Sequence, residues 1–320
     1  MATYKGIQGF AIQNVTSDPT TVGQVWYNSS TTNFKFTGVQ VAAAWATGGV
    51  MGQLQERAGG AGTQTAGLAF GGFNGPTPSY ALTQEYNGST WANGGNLNTG
   101  RWNLGGAGLQ TAAVAFGGFD DNSPTKVTEE YNGSSWTNGN NMVRPGSDTR
   151  YITGTGTQTA ALGIGGSPPV TTATEEYNGT SWTVGGVMGT ARYAAASAGT
   201  QTAALAFGGR PGGITATEEY NGSSWTAGGV LGAGRYYLGG CGTQTAALAF
   251  GGNTGPSQAT EAYNGSSWSN QPNMITGRKH IAGAGTQTAA LAMGGAPGPV
   301  PAITEEFSGI NPATKTITTT

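Results

Sequence analysis

The stretch Gly-Thr-Gln-Thr-Ala-Ala-Leu-Ala-Phe-Gly-Gly at residues 199–209 decides the fold of this chain, because five close copies of it occur elsewhere. The tripeptide Gln-Thr-Ala at its centre begins at Gln64, Gln110, Gln158, Gln201, Gln244 and Gln287. Successive copies are 46, 48, 43, 43 and 43 residues apart. A nearly fixed period of this length is the signature of a repeat protein, in which each copy buries its apolar face against its neighbours.

One copy, residues 192–225, predicts four short antiparallel strands, which we call A to D. Strand A (192–198) leads through a Gly-Thr-Gln turn into the apolar strand B (202–207), which ends at a double glycine. Strand C is Thr-Glu-Glu-Tyr at 217–220, and the turn Asn-Gly-Ser-Ser connects it to strand D at Trp225. Asn-Gly between two β-prone runs is the strongest short hairpin signal, because both residues tolerate positive φ. Four strands in a repeat of this length predict one blade of a β-propeller.

The repeat resembles the kelch repeat over roughly residues 45–307. That family has an arginine in strand A, a double glycine after strand B, and a spaced Tyr and Trp on strands C and D. The arginines in register here are Arg101, Arg192, Arg235 and Arg278, and we take Arg57 and Arg150, one or two residues out of register, as the remaining two. The strand-D tryptophans of the complete copies are Trp91, Trp136, Trp182, Trp225 and Trp268. The Trp-Asp dipeptide of another propeller family with this period is absent.

The last repeat lacks the strand-D tryptophan, and a tryptophan much earlier in the chain replaces it. Trp225 and its two neighbouring counterparts lie 19 residues before the next Gln-Thr-Ala, and Trp45 likewise lies 19 residues before Gln64. We therefore expect a strand near Trp45 to complete the sixth blade, which removes two exposed sheet edges. The predicted fold is all-β, a six-bladed kelch-like β-propeller with four antiparallel strands per blade, spanning residues 45–307.

Composition and charge exclude several classes of function. The net charge of −2, with no basic patch, argues against a nucleic-acid partner. No stretch approaches the ~20 apolar residues of a membrane helix, so we expect no membrane insertion. His280 is the only histidine, which excludes a histidine-based metal cluster, and we assign it to packing or to the rim. Cys241, the only cysteine, takes a position that is Ala in sister repeats and reads as a small buried residue. We expect no metal and no cofactor.

Most of the charges belong to the repeat itself. Ten of the 15 acidic residues are strand-C glutamates, which together with the repeat arginines suggest structural ion pairs. A catalytic pair of carboxylates would instead be unique and set at a defined separation. We therefore predict no catalytic residues. An enzyme would have to use acidic residues outside the repeat register, such as Asp120, Asp121 and Asp148, which lie on loops without an evident partner.

The two faces of the predicted propeller differ in how much they vary. The A–B and C–D turns share one face and are almost the same in every repeat, so the recurring Asn-Gly-Ser/Thr is explained by the turn and predicts no glycan. The B–C loops on the other face differ in length and sequence. Because recognition usually resides in loops on a rigid scaffold, we take that face as the candidate binding surface. Its candidate contact residues are Phe73, Tyr80, Phe119, Asp120, Asp121, Arg210 and Asn253.

Two segments lie outside the repeats: an arm at residues 1–44, with a predicted hairpin near Trp26, and a Thr-rich strand or tail at 308–320. Residues 1–38 resemble the openings of virion structural and tail-associated proteins of marine tailed phages, notably those of cyanobacteria. In those proteins a Gly-x-x-Trp-Tyr-Asn hairpin precedes repeats and the chain ends in a Thr-rich strand. The resemblance implies a virion component, such as a fibre, an appendage or a head decoration, assembled in the host cytoplasm. The arm would bind other virion proteins or neighbouring copies of the chain.

Three functions are compatible with these features. The first is a non-enzymatic virion surface protein whose propeller binds a host-surface glycan, another receptor or a neighbouring virion protein. The second is a secreted or cell-surface lectin-like bacterial propeller. The third is an enzyme acting on polysaccharides, which the repeat register of the charged residues disfavours.

Overall fold

Each repeat folds into one four-stranded antiparallel sheet in the computed structural model, which describes residues 13–15, 25–30, 33–37, 42–74, 80–144, 146, 149–253, 257–296, 302–309 and 314–317. Strand A of each blade packs beside strand A of the next, and the strand A of the sixth blade packs beside that of the first. The six sheets therefore form a closed ring, and the prediction of a six-bladed β-propeller is confirmed. No helix occurs in the described part of the chain, so none there could cross a membrane.

The first five blades take their strands in chain order, A to D. Blade 1 comprises β5 (Gly59–Gly62), β6 (Gly67–Phe70), β7 (Thr83–Tyr86) and β8 (Trp91–Asn93). Blade 2 comprises β9 (Gly105–Leu109), β10 (Ala112–Phe116), β11 (Thr128–Tyr131) and β12 (Trp136–Gly139). Blade 3 comprises β13 (Thr153–Thr157), β14 (Ala160–Ile164), β15 (Thr174–Tyr177) and β16 (Trp182–Val184). Blade 4 comprises β17 (Ala196–Thr200), β18 (Ala203–Phe207), β19 (Thr217–Tyr220) and β20 (Trp225–Ala227). Blade 5 comprises β21 (Gly239–Thr243), β22 (Ala246–Phe250), β23 (Thr260–Tyr263) and β24 (Trp268–Gln271).

The sixth blade combines strands from distant parts of the chain. It comprises β25 (Ala282–Thr286), β26 (Ala289–Met293), β27 (Thr304–Ser308) and, as strand D, β4 (Ala44–Thr47). β4 pairs antiparallel with β27, and Trp45 lies opposite Phe307 in the same register that pairs Trp with Tyr in the other blades. The predicted closure of the ring by a strand around Trp45 is confirmed.

A separate small sheet contains four more strands, β1 (Gln13–Val15), β2 (Val25–Asn28), β3 (Asn33–Thr37) and β28 (Thr314–Ile317). β2 and β3 form an antiparallel hairpin, β1 pairs parallel with β2, and β28 pairs antiparallel with β3. The chain divides into two compact units, Ala44–Ser308 and a unit made of Met1–Ala43 with Gly309–Thr320.

The core lies between blades, and strand B supplies most of it. In β18, Leu205 and Phe207 alternate with alanines, and all of these side chains except Ala203 are fully buried. Burying a Leu or Phe side chain contributes roughly 1.5–3 kcal/mol. Each strand-D tryptophan packs on its own strand-C aromatic and, in most blades, on a strand-B phenylalanine of the preceding blade. Trp268, for example, lies 5.0 Å from Tyr263 and 4.9 Å from Phe207 between ring centroids.

Three kinds of side-chain hydrogen bond join each blade to the preceding one. The first comes from the Gln of Gln-Thr-Ala, which donates to two backbone carbonyls: Gln201 Nε2 donates to Ala161 O at 2.9 Å and to Tyr177 O at 2.7 Å. The glutamines of all six repeats make this pair of bonds. This contact explains why the tripeptide recurs without change.

Tryptophan and tyrosine make the other two kinds of bond. The indole N–H of every strand-D tryptophan donates to a strand-C threonine of the preceding blade, and Trp45 does so to Thr260 at 3.0 Å. Five strand-C tyrosines donate to the glutamate that immediately precedes the strand-C aromatic residue of the preceding blade, as Tyr220 does to Glu176 at 2.6 Å. In the sixth blade Phe307 has no hydroxyl, and in blade 5 Ala262 occupies the position of the glutamate that would accept from it.

The first glutamate of each pair forms a buried ion pair within its own blade. The pairs are Arg101–Glu129, Arg144–Glu175, Arg192–Glu218, Arg235–Glu261 and Arg278–Glu305, and their side chains are at most 6% exposed. Burial lowers the pKa of Arg192 and the Glu218 carboxylate opposes that shift. Blade 1 replaces the ion pair by a neutral hydrogen bond, in which Gln84 Nε2 donates to Gln55 Oε1 at 2.7 Å. Removing one member of a buried ion pair costs about 3–5 kcal/mol.

The assignment of Arg57 and Arg150 to this structural set is wrong. The backbone carbonyls of Arg101, Arg192, Arg235 and Arg278 accept a bond from the second glycine of the preceding double glycine, and in blades 1 and 3 Gln55 and Thr149 occupy that place. Arg144 supplies the guanidinium in blade 3 from five residues earlier in the chain. The longer connection between blades 2 and 3 makes this exchange possible, and it leaves Arg57 and Arg150 free to lie on the surface of the propeller.

The double glycines are required by the backbone. Gly208 and Gly209 have φ values of 67° and 109°, in the region that side chains disfavour. A Cβ atom on Gly208 would lie 2.6 Å from the carbonyl oxygen of Arg235, so only glycine allows the blades to approach this closely.

Candidate functional site

The two faces of the propeller have different chemistry, and we name them for what they carry. The turn face carries the A–B and C–D turns, and the variable face carries the B–C and D–A connections. On the turn face, Asn221 Oδ1 accepts the backbone N–H groups of Ser223 and Ser224, at 3.0 and 2.9 Å. The Asn-Gly turns of the four other blades that contain them repeat this arrangement. The turn face is therefore built alike around the ring.

On the variable face, each blade brings a residue of its D–A connection opposite one of its B–C loop, through short antiparallel bridges. The bridge pairs are Glu56–Phe73, Trp102–Phe119, Arg150–Ser167, Tyr193–Arg210, Tyr236–Asn253 and Lys279–Ala296. The backbone arrangement is the same in every blade, whereas the side chains have different charge, size and polarity. A rigid frame with unlike side chains at equivalent places is typical of a recognition surface.

Four of the predicted contact residues occupy these bridge positions. Phe73 and Phe119 both pack on Trp102, with ring centroids 5.9 and 5.2 Å away. Arg210 and Asn253 both contact Tyr236: the guanidinium lies 4.6 Å from the ring centroid, and Asn253 Nδ2 donates to Tyr236 Oη at 2.8 Å. The structure thus gathers these four residues into two groups on one face.

The other three predicted residues have structural contacts nearby. Tyr80 Oη accepts a hydrogen bond from Asn74 Nδ2 at 2.5 Å. Asp120 Oδ1 accepts the backbone N–H groups of Asn122 and Ser123 and so caps a turn. Asp121 accepts from the indole N–H of Trp102 at 3.0 Å. Asp148, which an enzyme hypothesis would use, lies outside the described residues.

Cations and aromatic rings alternate around Trp102. The guanidinium carbon of Arg150 lies 4.3 Å from the Trp102 ring centroid and 4.5 Å from that of Phe119, and that of Arg57 lies 5.0 Å from Trp102. Such contacts contribute about 0.5–2 kcal/mol each and hold the guanidinium groups flat against the rings. Tyr151 continues the aromatic surface towards the propeller axis, 6.5 Å from Trp102.

A ring of six residues surrounds the propeller axis on the variable face, and we call it the mouth ring. Its members, one from each blade in order, are Arg57, Asn103, Tyr151, Ala194, Tyr237 and His280. The backbone N–H of each donates to the carbonyl of the one before, and Arg57 donates to His280, with donor–acceptor distances of 2.8–3.2 Å. These six hydrogen bonds form a closed cycle that fixes the positions from which the six side chains project.

Every member of the mouth ring has positive φ, between 53° and 60°. This left-handed conformation costs about 1–3 kcal/mol for a residue other than glycine, and it is least favourable for bulky side chains such as Tyr. Among the described residues, Asp121 is the one other non-glycine residue with positive φ. Strain of this kind concentrates at functional sites, because the side chain is needed where the backbone would prefer glycine.

The mouth ring opens into a cavity of about 130 Å³, lined by residues of all six blades. Three ring residues have buried nitrogens without a hydrogen-bond partner: Arg57 Nε, Asn103 Nδ2 and His280 Nδ1. Burial, with the positive charges of Arg57 and Lys279, lowers the pKa of His280 to about 3, although the Glu56 carboxylate lies 3.8 Å from Nδ1. The His280 side chain is therefore neutral at physiological pH.

The tyrosines on the opposite side of the mouth ring form a compact group. The Tyr237 ring lies 5.6 Å from that of Tyr151 and 4.0 Å from that of His280. Burial raises the pKa of Tyr237 to about 12, with Tyr151 raising it further and the hydrogen bond to Arg210 opposing the rise. The Tyr237 phenol therefore stays protonated at physiological pH, and both tyrosines line the cavity.

The acidic residues predicted on the variable face already have structural contacts. Asp120 and Asp121 are occupied by hydrogen bonds that shape their own loop. Within the described ranges, no group of three or more His, Cys, Asp or Glu side chains could hold a metal ion. Cys241 is buried in strand A of blade 5, where burial raises the pKa of its thiol, and it is not among the residues that line the mouth-ring cavity.

The sequence analysis did not identify the mouth ring, although a signal for it exists. Each repeat has a four-residue segment whose first and last positions are similar and whose middle two positions vary. The segments are Gln-Glu-Arg-Ala (55–58), Arg-Trp-Asn-Leu (101–104), Thr-Arg-Tyr-Ile (149–152), Arg-Tyr-Ala-Ala (192–195), Arg-Tyr-Tyr-Leu (235–238) and Arg-Lys-His-Ile (278–281). The varying pairs are the D–A bridge residues and the mouth ring. His280, assigned to packing or to the rim, belongs to this site.

Comparison of the sequence with models of known protein families gives no match, and comparison with curated protein sequences gives none either. The fold and the site together define the chain as a six-bladed β-propeller with one uniform face and one varied, aromatic and cationic face.

Proposed function

We propose that this chain is a non-enzymatic surface protein of a virus particle, whose kelch-type propeller binds a host-surface glycan or a neighbouring virion protein through its variable face. The arm at residues 1–44 would bind other virion proteins and so attach the propeller to the particle.

One observation carries the binding function. Most scaffold positions keep the same role from blade to blade, but the D–A bridge positions on the variable face hold a Trp, an Arg, two Tyr, a Lys and a Glu. The three arginines there, Arg57, Arg150 and Arg210, stack on aromatic rings instead of joining the buried ion pairs. Aromatic side chains and arginine are the residue types that dominate binding energy at recognition surfaces.

The finer parts of the proposal rest on sequence resemblance. The double glycines, the spaced Tyr and Trp and the repeat arginines support the kelch-type assignment. The Gly-x-x-Trp-Tyr-Asn segment at 23–28 and the Thr-rich stretch at 314–320 support the virion setting.

An immobilised-glycan array and labelling of native particles test the two parts separately. We expect the isolated protein to bind a subset of glycans without releasing products, and antibody raised against the propeller to label intact particles. Trp102→Ala combined with Arg210→Ala should weaken binding at least tenfold, because Trp102, which is 8% exposed, supports Phe73 and Phe119 and Arg210 lies on the variable face itself. The matched control is Leu109→Ala, which removes a side chain that is 54% exposed at an A–B turn of the turn face.

Other outcomes would decide between the alternatives. Glycan binding with no label on particles would favour a secreted or cell-surface lectin. Product release from a polysaccharide would show an enzyme and contradict the proposal. Equal loss of binding in the Leu109 control would show that the variable face is not the contact surface.

A further inference from the structure

We propose that the mouth ring binds one acidic sugar residue, a pyranose that carries a carboxylate, at the centre of the variable face. This inference rests on the binding function proposed above and adds the chemical class of the ligand. It follows from the backbone of the ring, its unpartnered nitrogens, its tyrosines, its cavity and its charge.

The six mouth-ring positions hold residues other than glycine, although their positive φ favours glycine. The chain places glycine at 25 described positions with positive φ, but not at these six. The residues that follow the ring members along the chain share one chemical character. Those residues are all apolar: Ala58, Leu104, Ile152, Ala195, Leu238 and Ile281. The ring members share no such chemistry, which indicates selection for what they present to the cavity.

One side of the mouth ring presents hydrogen-bonding nitrogens. His280, Arg57 and Asn103 come from three consecutive blades, and each has a buried nitrogen without a partner. Asn103 is 8% exposed and His280 is 9% exposed, so water satisfies these atoms poorly. Asn103 Nδ2 and Arg57 Nε can only donate hydrogen bonds. An ionised carboxylate can only accept them, so it complements these two atoms.

The other side of the mouth ring presents aromatic faces. Tyr151 and Tyr237 lie on either side of Ala194, the smallest member of the ring, with their centroids 5.6 Å apart. The negative face of an aromatic ring attracts the weakly positive C–H groups that line one face of a pyranose. A sugar ring against the tyrosines would direct its carboxylate towards Arg57 and Asn103.

The size and shape of the cavity favour a compact ring over an extended chain. A single buried water needs roughly 10–15 Å³, and the cavity of about 130 Å³ is several times larger. All six blades enclose it, so a ligand enters along the propeller axis with one end first. An extended peptide is usually recognised along a sheet edge or a groove, and the mouth ring is neither.

The charge around the mouth is positive. The positive charges of Arg57 and Lys279 both lower the pKa of His280, and the Arg210 side chain forms a hydrogen bond with Tyr237. The Glu56 carboxylate, 3.9 Å from Arg57 and 3.8 Å from His280, offsets part of this charge. The remaining positive potential favours an anionic ligand over a neutral sugar of the same shape.

Titration of the full-length protein with glucuronate and with glucose, followed by NMR, tests the proposal. We expect glucuronate to bind at least tenfold more tightly than glucose, with affinity that falls as ionic strength rises. Asn103→Asp keeps the side-chain shape and tolerates positive φ, but replaces a donor by a negative charge, so it should abolish the preference for glucuronate. Asn103→Gly should weaken glucuronate binding at least tenfold without lowering the melting temperature. The control is Leu109→Ala on the turn face, which removes a side chain that is 54% exposed and far from the mouth ring and should bind glucuronate as the wild type does.

Several results would overturn the proposal. Equal affinity for glucose and glucuronate, or an unchanged preference in Asn103→Asp, would show that no carboxylate is recognised at the mouth. Binding of neutral glycans alone through Trp102 and Arg210 would overturn this inference and leave the proposed function standing. Competition by a polyglutamate peptide as effective as glucuronate would show that the site recognises charge rather than a sugar.

Discussion

At the scale of single residues, the repeated side chains are explained by backbone groups that they satisfy in the neighbouring blade. Gln201 fills a gap between two strands of blade 3 and donates both amide hydrogens there. A side chain with this role is needed once per blade junction, which is why its sequence period reveals the fold.

We expect Gln201→Ala to lower the free energy of unfolding by about 1–3 kcal/mol, because two carbonyl oxygens lose their donor. Gln201→Glu should cost more at pH 7, since a carboxylate would face the oxygens of Ala161 and Tyr177, and the difference between the variants should narrow near pH 4. Urea unfolding at both pH values measures this. Thr202→Ala, an exposed neighbour, should stay within about 0.5 kcal/mol of wild type. Similar costs for Gln201 and Thr202 variants would contradict the role assigned to the amide.

The depressed pKa of His280 predicts a dependence of stability on pH. The folded value of about 3 lies below the ordinary value of 6.5, so the unfolded chain binds a proton more readily between these limits. Stability is therefore highest above pH 6.5 and falls as the pH decreases towards 3. We expect His280→Asn, which tolerates positive φ and does not titrate, to flatten this fall in urea midpoints between pH 7 and pH 4.5. Parallel profiles for the two proteins would show that His280 does not determine the dependence of stability on pH.

The residue scale also shows where sequence analysis fails. It placed Phe73, Phe119, Arg210 and Asn253 on the variable face, where the structure also has them, because loop variation is visible in sequence. It misassigned Arg57 and Arg150, because the side chain that completes an ion pair can come from another position, as Arg144 does. It missed the mouth ring as a site, because the variable pair in each repeat does not reveal the positive φ that the cyclic hydrogen bonding of six blades imposes at residues such as Tyr151 and His280.

At the scale of elements, the junction between blades 5 and 6 differs from the others. Elsewhere a strand-C tyrosine donates to a glutamate of the preceding blade, and burial raises the pKa of Tyr131, Tyr220 and Tyr263 to about 12. At this junction both partners are replaced, with Phe307 in one blade and Ala262 in the other. Joint replacement leaves neither a buried hydroxyl nor a carboxylate without a partner.

This compensation predicts coupling between the two positions. Phe307→Tyr alone should cost about 1–3 kcal/mol, because its buried hydroxyl has no acceptor. With Ala262→Glu added, the hydroxyl gains the acceptor found at the other junctions, so the double variant should be more stable than the sum of the single changes by about 0.5–3 kcal/mol. A double-mutant cycle in urea measures this. Additive effects would show that the junction does not accept the pairing found elsewhere.

At the scale of the whole molecule, the fold could be predicted almost completely and the site only in part. The period gives the number of blades, the Asn-Gly turns give the strand order, and the spacing of Trp45 from Gln64 gives the closure. Function is harder to predict from the sequence, because most of the charged residues form ion pairs and hydrogen bonds within the scaffold. The remaining variation lies on one face, where backbone geometry and contacts between blades determine how the side chains combine.

The pairing of β4 with β27 closes the ring, so its effect is on the stability of the whole propeller. β4 covers the open edge of β27, its Trp45 donates to Thr260 in blade 5, and the Trp45 ring packs 5.2 Å from Phe250. A chain of residues 51–308 would lose these contacts and expose a strand edge. We expect its melting temperature to lie at least 10 °C below that of the matched chain 44–308, because removing a buried tryptophan alone costs about 3–5 kcal/mol.

Rescue separates loss of closure from general damage. A synthetic peptide of residues 42–50 should restore the melting temperature of chain 51–308 in a concentration-dependent way, because it can add as an edge strand to β27. The same peptide with Ala in place of Trp45 should restore much less, since it keeps the backbone pairing but lacks the indole that bonds Thr260. If chains 44–308 and 51–308 melted together, or if both peptides rescued equally, the ring would be held by its first five blades and Trp45 would not be the residue that closes it.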